Sequence, residues 1–167
     1  MSHIKITRSS SMSELLPTQR ARFWHNAVLA GSVAAYCALL AITIPHHEPW
    51  ADEAQAWQIA RSNTLPALFH TAIHYEISPG LWHAFLWLLV RLHLPYAGLP
   101  WVSASIALCG VCLLLFASPL PLALRVMLPF TYFFAFQYSV VARSYVLFAP
   151  ILFCSRPSGG IDARGLF

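Results

Sequence analysis

The sequence contains little charge. Only 10% of its 167 residues are Asp, Glu, Lys or Arg, whereas 58% are hydrophobic, and the mean hydropathy is +0.61. A typical water-soluble domain has about 25% charged residues. The composition therefore argues against an ordinary soluble domain and predicts an integral membrane protein.

The positive charge is not gathered on one segment that could form a basic face. The formal net charge is +4, but the Lys and Arg residues lie at the N-terminus, singly near the ends of apolar runs, and at the C-terminus. Binding to nucleic acid needs a basic patch or stripe. We therefore expect no nucleic-acid partner, and we interpret the bases as contacts to the acidic headgroups of membrane lipids.

Polar neighbours are scarce around the cysteines. All four lie in apolar runs or at their edges: Cys37, Cys109, Cys112 and Cys154. The pair Cys109 and Cys112 has CxxC spacing, but zinc or redox chemistry needs polar partners and access. We expect the cysteines to serve as small apolar side chains of membrane-embedded helices.

An uncharged apolar run at residues 26–44 is long enough to cross a membrane. At about 1.5 Å per residue a helix over this run spans roughly the 30 Å hydrocarbon layer. The preceding segment, residues 1–25, has more Lys and Arg than acid, which predicts a cytoplasmic N-terminus. A cleaved signal peptide is the alternative, but its apolar core has only about 7–15 residues.

Further apolar runs predict an all-α, polytopic membrane domain over residues 26–153, with about four to five spans. The polar residues 45–76 form the predicted external loop, and second and third spans are expected at 77–94 and 98–116. Residues 122–153 could hold a fourth span and part of a fifth, or one long tilted helix.

Two short helices are predicted in the external loop. Residues 49–61 begin with a proline and have Asp52 and Glu53 in the first turn, as the helix macrodipole favours. Their tryptophans favour a helix lying along the membrane interface. Residues 65–72 form a second short amphipathic element, and Arg91, near the end of the second run, is expected on the cytoplasmic side.

The last residues, 154–167, differ from the rest. They are polar and glycine-rich, and they lack periodicity. The apolar run before them is shorter than the roughly 17–25 residues that a crossing helix needs. We interpret this segment as a non-native or disordered tail, which a truncated or frame-shifted reading of a longer membrane protein would produce; a natural disordered tail is the alternative.

Asp52 and Glu53 are the first candidate catalytic residues. Adjacent helical residues point about 100° apart, so only one of these carboxylates can face a given substrate atom, and the other would be structural. Acids in a first helical turn often act only as partners of the helix dipole. Their position at a membrane boundary nevertheless suits a general base or a metal ligand for a lipid-linked substrate.

A weaker candidate for a divalent metal site precedes this helix. Imidazole and carboxylate groups are common metal ligands, and they cluster at His46, His47 and Glu48, next to Asp52. Their spacing matches no closed structural site, and histidines at the end of a span are often plain interfacial residues. A divalent metal is the one candidate cofactor.

Two further groups are candidates for substrate binding. His74 and Glu76 stand just before the second predicted span, and Arg143 lies inside an apolar run. A charge within a membrane usually faces a partner or a water-filled cavity, and a guanidinium can bind a phosphate through two hydrogen bonds. The alternative for His74 is a solvated histidine of the loop. The alternative for Arg143 is an arginine whose side chain extends to the membrane interface.

Three segments in order resemble one membrane enzyme superfamily. They are Asp-Glu-Ala-Gln-Ala-Trp at 52–57, His-Tyr-Glu-Ile-Ser-Pro-Gly-Leu-Trp-His at 74–83 and Ala-Arg-Ser-Tyr at 142–145. Together they are similar to the N-terminal part of the polytopic GT-C glycosyltransferases, which include protein O-mannosyltransferases and lipid A aminoarabinose transferases. The resemblance covers residues 24–153, which correspond to the first third or so of a family member.

The resemblance implies transfer of a sugar from a polyprenyl-phosphate donor to an acceptor on the extracytoplasmic side, in a bacterial inner membrane. The acidic loop residue of the family would be Asp52, with Glu53 beside it. The substrate contacts would come from four residues: His74, Glu76, Arg143 and Tyr145. The chain departs from the family pattern in having one proline in the second segment, Pro79, and no arginine at the start of the third span.

Two other classes of protein remain open on the sequence. A small, non-catalytic membrane subunit for binding or assembly would not need the carboxylate of Asp52. A fragment of a transporter would have polar residues in the middle of several spans, and few are present besides Arg125 and Arg143. If the chain is a truncated transferase, we expect it to be inactive alone.

Overall fold

A computed structural model describes residues 10–70, 80–147 and 150–151 of the chain. Regular structure in these residues is helical, without a β-strand. Six α-helices carry the fold: α1 Ser10–Thr43, α2 Ala51–Ser62, α3 Leu65–His70, α4 Gly80–Arg91, α5 Leu99–Ala117 and α6 Leu122–Met127. The all-α prediction is confirmed for the described residues, and the tail at 154–167 lies outside them.

Two helical segments are long and apolar enough to cross a membrane. They are Gln19–His46, which comprises most of α1 and the one-turn helix Ile44–His46, and Tyr96–Ala117, which contains α5. The most apolar 18 residues of each have a mean hydropathy of 2.2. These segments confirm the spans predicted at 26–44 and 98–116 as helices of sufficient length. Helix α1 begins earlier than expected, at Ser10, so part of the predicted N-terminal segment is continuous with it.

Helices α1 and α5 pack side by side in opposite directions. The apolar cluster between them includes Leu40 and Ile44 of α1 and Val111 and Leu115 of α5. The C-terminal end of α1 and the N-terminal end of α5 lie at the same end of the molecule, where Pro49 and Leu99 line one pocket. The opposite faces of both helices leave large apolar side chains exposed, among them Trp24, Ile42, Trp101 and Phe116.

The second span is predicted at residues 77–94, of which 77–79 lie outside the described residues. Helix α4 is described over Gly80–Arg91, and it packs against α2. The chain then turns and reaches Tyr96, whose ring lies 5.8 Å from that of Trp57 in α2. The start of α5 therefore lies beside α2 rather than at the far end of α1. Helices α2, α3 and α4 together form a helical cap over this end.

Residues 122–147, called the return segment here, form short pieces where a fourth span was predicted. Prolines interrupt the pattern, and Pro129 falls in the one-turn helix Leu128–Phe130, after α6. A π-helix at Phe133–Gln137 and a one-turn helix at Ser144–Leu147 follow. The segment starts near the C-terminal end of α5, where Arg125 donates to the carbonyl of Leu115 over 2.8 Å, and it ends beneath the helical cap.

Candidate functional site

The side chain of Glu53 is the centre of the contacts where the helical cap meets α1 and the return segment. Glu53 lies in the first turn of α2, and only 2% of it is exposed. Its Oε2 accepts hydrogen bonds from the backbone N–H of Trp50 at 2.7 Å and from Nε2 of His47 at 3.0 Å. Its Oε1 accepts one from the backbone N–H of Ala142 at 2.5 Å.

These three hydrogen bonds join the first turn of α2 to the segment just before it and to the distant return segment. The bond to Trp50 closes the N-terminal turn of α2, as an acidic residue at the third helical position commonly does. The bond to His47 fixes the segment that follows α1, and the bond to Ala142 fixes the return segment. The carboxylate of Glu53 therefore acts as a positioning group, since three donors of the chain hold it and only 2% of the residue is exposed.

Asp52, its neighbour, points outward, as the angle between adjacent helical residues predicts. Its Oδ2 lies 2.8 Å from Nη2 of Arg143, and the two side chains are 56% and 30% exposed. Because Glu53 holds Ala142, it also determines where the next residue, Arg143, approaches α2. The carboxylate and the guanidinium that sequence patterns singled out separately thus form one ion pair at the surface.

Arg143 also contacts an aromatic ring. Its Cζ lies 5.6 Å from the ring centroid of Tyr145, which is 50% exposed. A cation over a tyrosine face is attracted by the ring quadrupole, by about 0.5–1 kcal/mol at exposed sites. The guanidinium is therefore held by a carboxylate and by a ring, and neither contact is shielded from solvent.

A row of aromatic rings that no sequence motif indicated continues from Tyr145. Phe133 and Tyr145 are exposed, and Tyr138 between them is half-buried. The ring of Tyr138 lies 6.3 Å from that of Tyr145 and 6.1 Å from that of Phe133. The π-helix gives the row its geometry, and such single-turn π-helices often occur at functional sites. The one available signal in the sequence was the density of aromatic residues between 130 and 138.

The weak candidates for a metal site do not converge. The ring Nδ1 of His46 lies 2.8 Å from the carbonyl oxygen of Ile42, and His47 is engaged with Glu53. The side chain of Glu48 is exposed. Within residues 10–70, 80–147 and 150–151, no three His, Cys, Asp or Glu side chains lie close enough together to hold a metal ion.

The predicted substrate contacts His74 and Glu76 lie outside the described residues. Of the remaining predicted site residues, Asp52, Arg143 and Tyr145 meet at the surface, and Glu53 lies directly beneath them. This group stands at the end of the molecule where α1 ends and α5 begins.

The surface around Asp52 offers three chemical functions. An exposed carboxylate can accept a proton from a hydroxyl group. A guanidinium can bind an oxyanion with two parallel hydrogen bonds. An ion pair in contact with solvent is worth only about 0–1 kcal/mol, so an incoming phosphate can displace the Asp52 carboxylate from Arg143. The exposed rings beside them provide apolar contact area.

Comparison of the chain with models of known families, with curated proteins and with solved structures gives no match. The fold and the site define a class of protein: an all-helical chain with two helices able to cross a membrane and an exposed carboxylate–guanidinium pair at their common end.

Proposed function

We propose that this chain is the N-terminal part of a GT-C type glycosyltransferase of the bacterial inner membrane. The enzyme transfers a sugar from a polyprenyl-phosphate donor to an acceptor on the extracytoplasmic side, and the N-terminus is cytoplasmic. The proposal concerns the complete reading frame, because the resemblance covers only the first third or so of a family member.

The observation that carries the proposal is the ion pair of Asp52 and Arg143. The transfer needs a base for the acceptor and a cation for the phosphate, and both must act at one place. The two residues are far apart in the sequence, yet their side chains meet at 2.8 Å. They do so at the common end of the two candidate spans, the level at which a lipid-linked phosphate would be presented.

The mechanism assigns one role to each group. The donor phosphate takes the place of Asp52 at Arg143, and the freed carboxylate accepts the proton of the acceptor hydroxyl. The hydroxyl oxygen then forms a bond to the anomeric carbon, and the bond from that carbon to the phosphate oxygen breaks. The phosphate leaves with the electron pair, and the guanidinium stabilises its additional negative charge. Glu53 takes no part in the chemistry and maintains the position of Arg143.

The proposal includes a topology that departs from the simple hydropathy pattern. Helix α1 runs outward, the helical cap lies entirely on the external side, and α5 runs inward. The return segment goes back toward the cap as an irregular third crossing, whose backbone is covered by α1 and α5. In this topology the described residues cross the membrane as two helices and the return segment, and not as four or five regular spans. Arg91 lies on the external side together with the cap.

Cysteine labelling distinguishes this topology from one in which α4 crosses. In a background without the four native cysteines, we expect Ser62→Cys and Leu92→Cys both to react with a membrane-impermeant maleimide on intact cells. Both positions are exposed and belong to the cap. Ala117→Cys, at the other end of α5, should react only after permeabilisation. If Leu92→Cys behaves like Ala117→Cys, α4 crosses the membrane and the proposed topology is wrong.

A lysine substitution tests the phosphate role of Arg143. Arg143→Lys keeps the charge but loses the planar fork, so in the complete reading frame we expect the KM for a radiolabelled polyprenyl-phosphate sugar to rise about tenfold or more. Arg91→Lys is the matched control, because Arg91 also lies over a ring, that of Trp87, at 5.2 Å. It should leave the KM unchanged.

If the wild type, Arg143→Lys and Arg91→Lys have equal KM values, Arg143 does not bind the donor phosphate. If no variant and no wild-type preparation binds or transfers the labelled sugar, the glycosyltransferase proposal itself fails. The ion pair would then be a structural link in a non-catalytic membrane subunit.

A further inference from the structure

A small pocket lies beside the buried carboxylate, and Arg143 is not among the residues that line it. Pro49 and Glu53 form one wall, at the start of α2, and the start of α5 forms the other, with Tyr96, Ala97, Leu99 and Pro100. The pocket has a cavity volume of about 40 Å³ and is partly open to solvent. One water molecule needs about 10–15 Å³ on this measure, so the pocket has room for a group of that size.

Two polar groups in this otherwise apolar pocket have unused hydrogen-bonding capacity. A carboxylate can accept about four hydrogen bonds, and Glu53 accepts three from the described chain. The hydroxyl of Tyr96 is buried and has no hydrogen-bond partner among the described residues. It therefore does not bond to Glu53 directly. Leaving a buried hydroxyl unpaired costs about 1–3 kcal/mol.

We propose that this pocket binds a hydroxyl group, which donates its hydrogen to Glu53 and accepts the hydrogen of Tyr96. A hydroxyl is the smallest group that can form both hydrogen bonds, because it is a donor and an acceptor. A carboxylate or phosphate guest would be repelled by Glu53, and an ammonium could not accept from Tyr96. The site is separate from glycosyl transfer and does not depend on it.

The hydroxyl can come from a bound water or from the head of a lipid. Pro49, Leu99 and Pro100 give the pocket apolar walls, and the pocket lies at the end of two candidate spans. A neutral lipid with a free hydroxyl, such as a monoacylglycerol, matches both features. The chemistry that Glu53 and Tyr96 recognise is the same for either source.

The test compares the wild-type chain with Tyr96→Phe, which removes the hydroxyl and keeps the ring that packs on Trp57. Both are placed in phosphatidylcholine nanodiscs, alone or with glycerol monooleate or methyl oleate, and their melting temperatures are measured. We expect Tyr96→Phe to melt roughly 1–6 °C lower than the wild type. If glycerol monooleate changes the melting temperature of the wild type but not that of Tyr96→Phe, the hydroxyl belongs to a lipid. If glycerol monooleate and methyl oleate give the same melting temperatures, the hydroxyl belongs to a water molecule.

Two controls keep this comparison interpretable. Tyr36→Phe removes a hydroxyl that donates to the carbonyl of Phe134 at 2.8 Å, so it should lower the melting temperature whatever lipid is present. Ala97→Leu fills the pocket, and Tyr96→Phe added to it should no longer reduce stability. If Tyr96→Phe is at least as stable as the wild type and neither lipid changes this, the hydroxyl of Tyr96 is unpaired and the proposal is overturned.

Discussion

Replacing Glu53 by alanine is expected to lower the free energy of unfolding by at least about 3 kcal/mol, the largest change in stability that we predict for a single residue of this chain. The variant leaves Nε2 of His47 and the N–H groups of Trp50 and Ala142 without their acceptor. Each buried donor without a partner costs about 1–3 kcal/mol. Removal of one member of a buried charged network typically costs about 3–5 kcal/mol in total.

Thermal or denaturant unfolding in detergent micelles measures this effect. Glu48→Ala is the matched control, because it removes an exposed acid from the same linker, and it should change stability by less than about 0.5 kcal/mol. Glu53→Gln should fall between the two, since the amide retains one acceptor oxygen but turns an NH₂ group toward a donor. If Glu53→Ala unfolds like Glu48→Ala, the three hydrogen bonds do not hold the cap to the return segment.

Replacing Asp52 by asparagine should have the largest effect on function. In the complete reading frame, loss of the general base is expected to lower kcat for sugar transfer by roughly 10²- to 10⁴-fold. The protein should still accumulate in the membrane, because the exposed pair with Arg143 contributes only about 0–1 kcal/mol. Asparagine also preserves the shape of the side chain and an oxygen that Arg143 can donate to.

The measurement is transfer from a radiolabelled polyprenyl-phosphate sugar in membranes that contain equal amounts of each protein. A fall in kcat with an unchanged KM for the donor assigns Asp52 to the chemical step, whereas Arg143→Lys acts mainly on the KM. Transfer by Asp52→Asn at a rate near that of the wild type would exclude Asp52 as the base. Its carboxylate would then only stabilise the N-terminus of α2 and pair with Arg143.

The helices that depend on local signals could be predicted from the sequence. A helix was expected at 49–61 from its proline, its early acids and its spacing, and α2 is found at Ala51–Ser62. The two long apolar segments were equally clear, because length and composition alone decide whether a helix can cross a bilayer. In each case the information lies within one continuous stretch of chain.

The role of α4 could not be predicted in the same way. Its apolar residues resemble those of a span, yet Trp82, His83 and Leu86 are buried within the protein. Hydropathy does not distinguish an apolar face that packs on another helix from one that contacts lipid, since both surroundings are dry. Only the position of Tyr96 against Trp57 separates the two arrangements, and that contact is tertiary.

The candidate site was predictable in its residues but not in its geometry. Helical spacing indicated that Asp52 and Glu53 would diverge and that one of them would be structural. Which one turns inward depends on Ala142, whose backbone N–H no motif could reveal. The pairing of Asp52 with Arg143 likewise follows from the path of the return segment, and prolines make that path irregular.

The hydrogen bond from Ala142 to Glu53 joins residues separated by 89 positions, and this separation has a consequence for biosynthesis. Helix α2 leaves the ribosome long before Ala142 has been made, so the carboxylate of Glu53 lacks one of its final donors while α5 is being made. A non-local contact of this kind closes late, after its loop entropy has been overcome. During that interval the face of the helical cap that later contacts the return segment remains accessible to chaperones and proteases, and completion of the return segment covers this face.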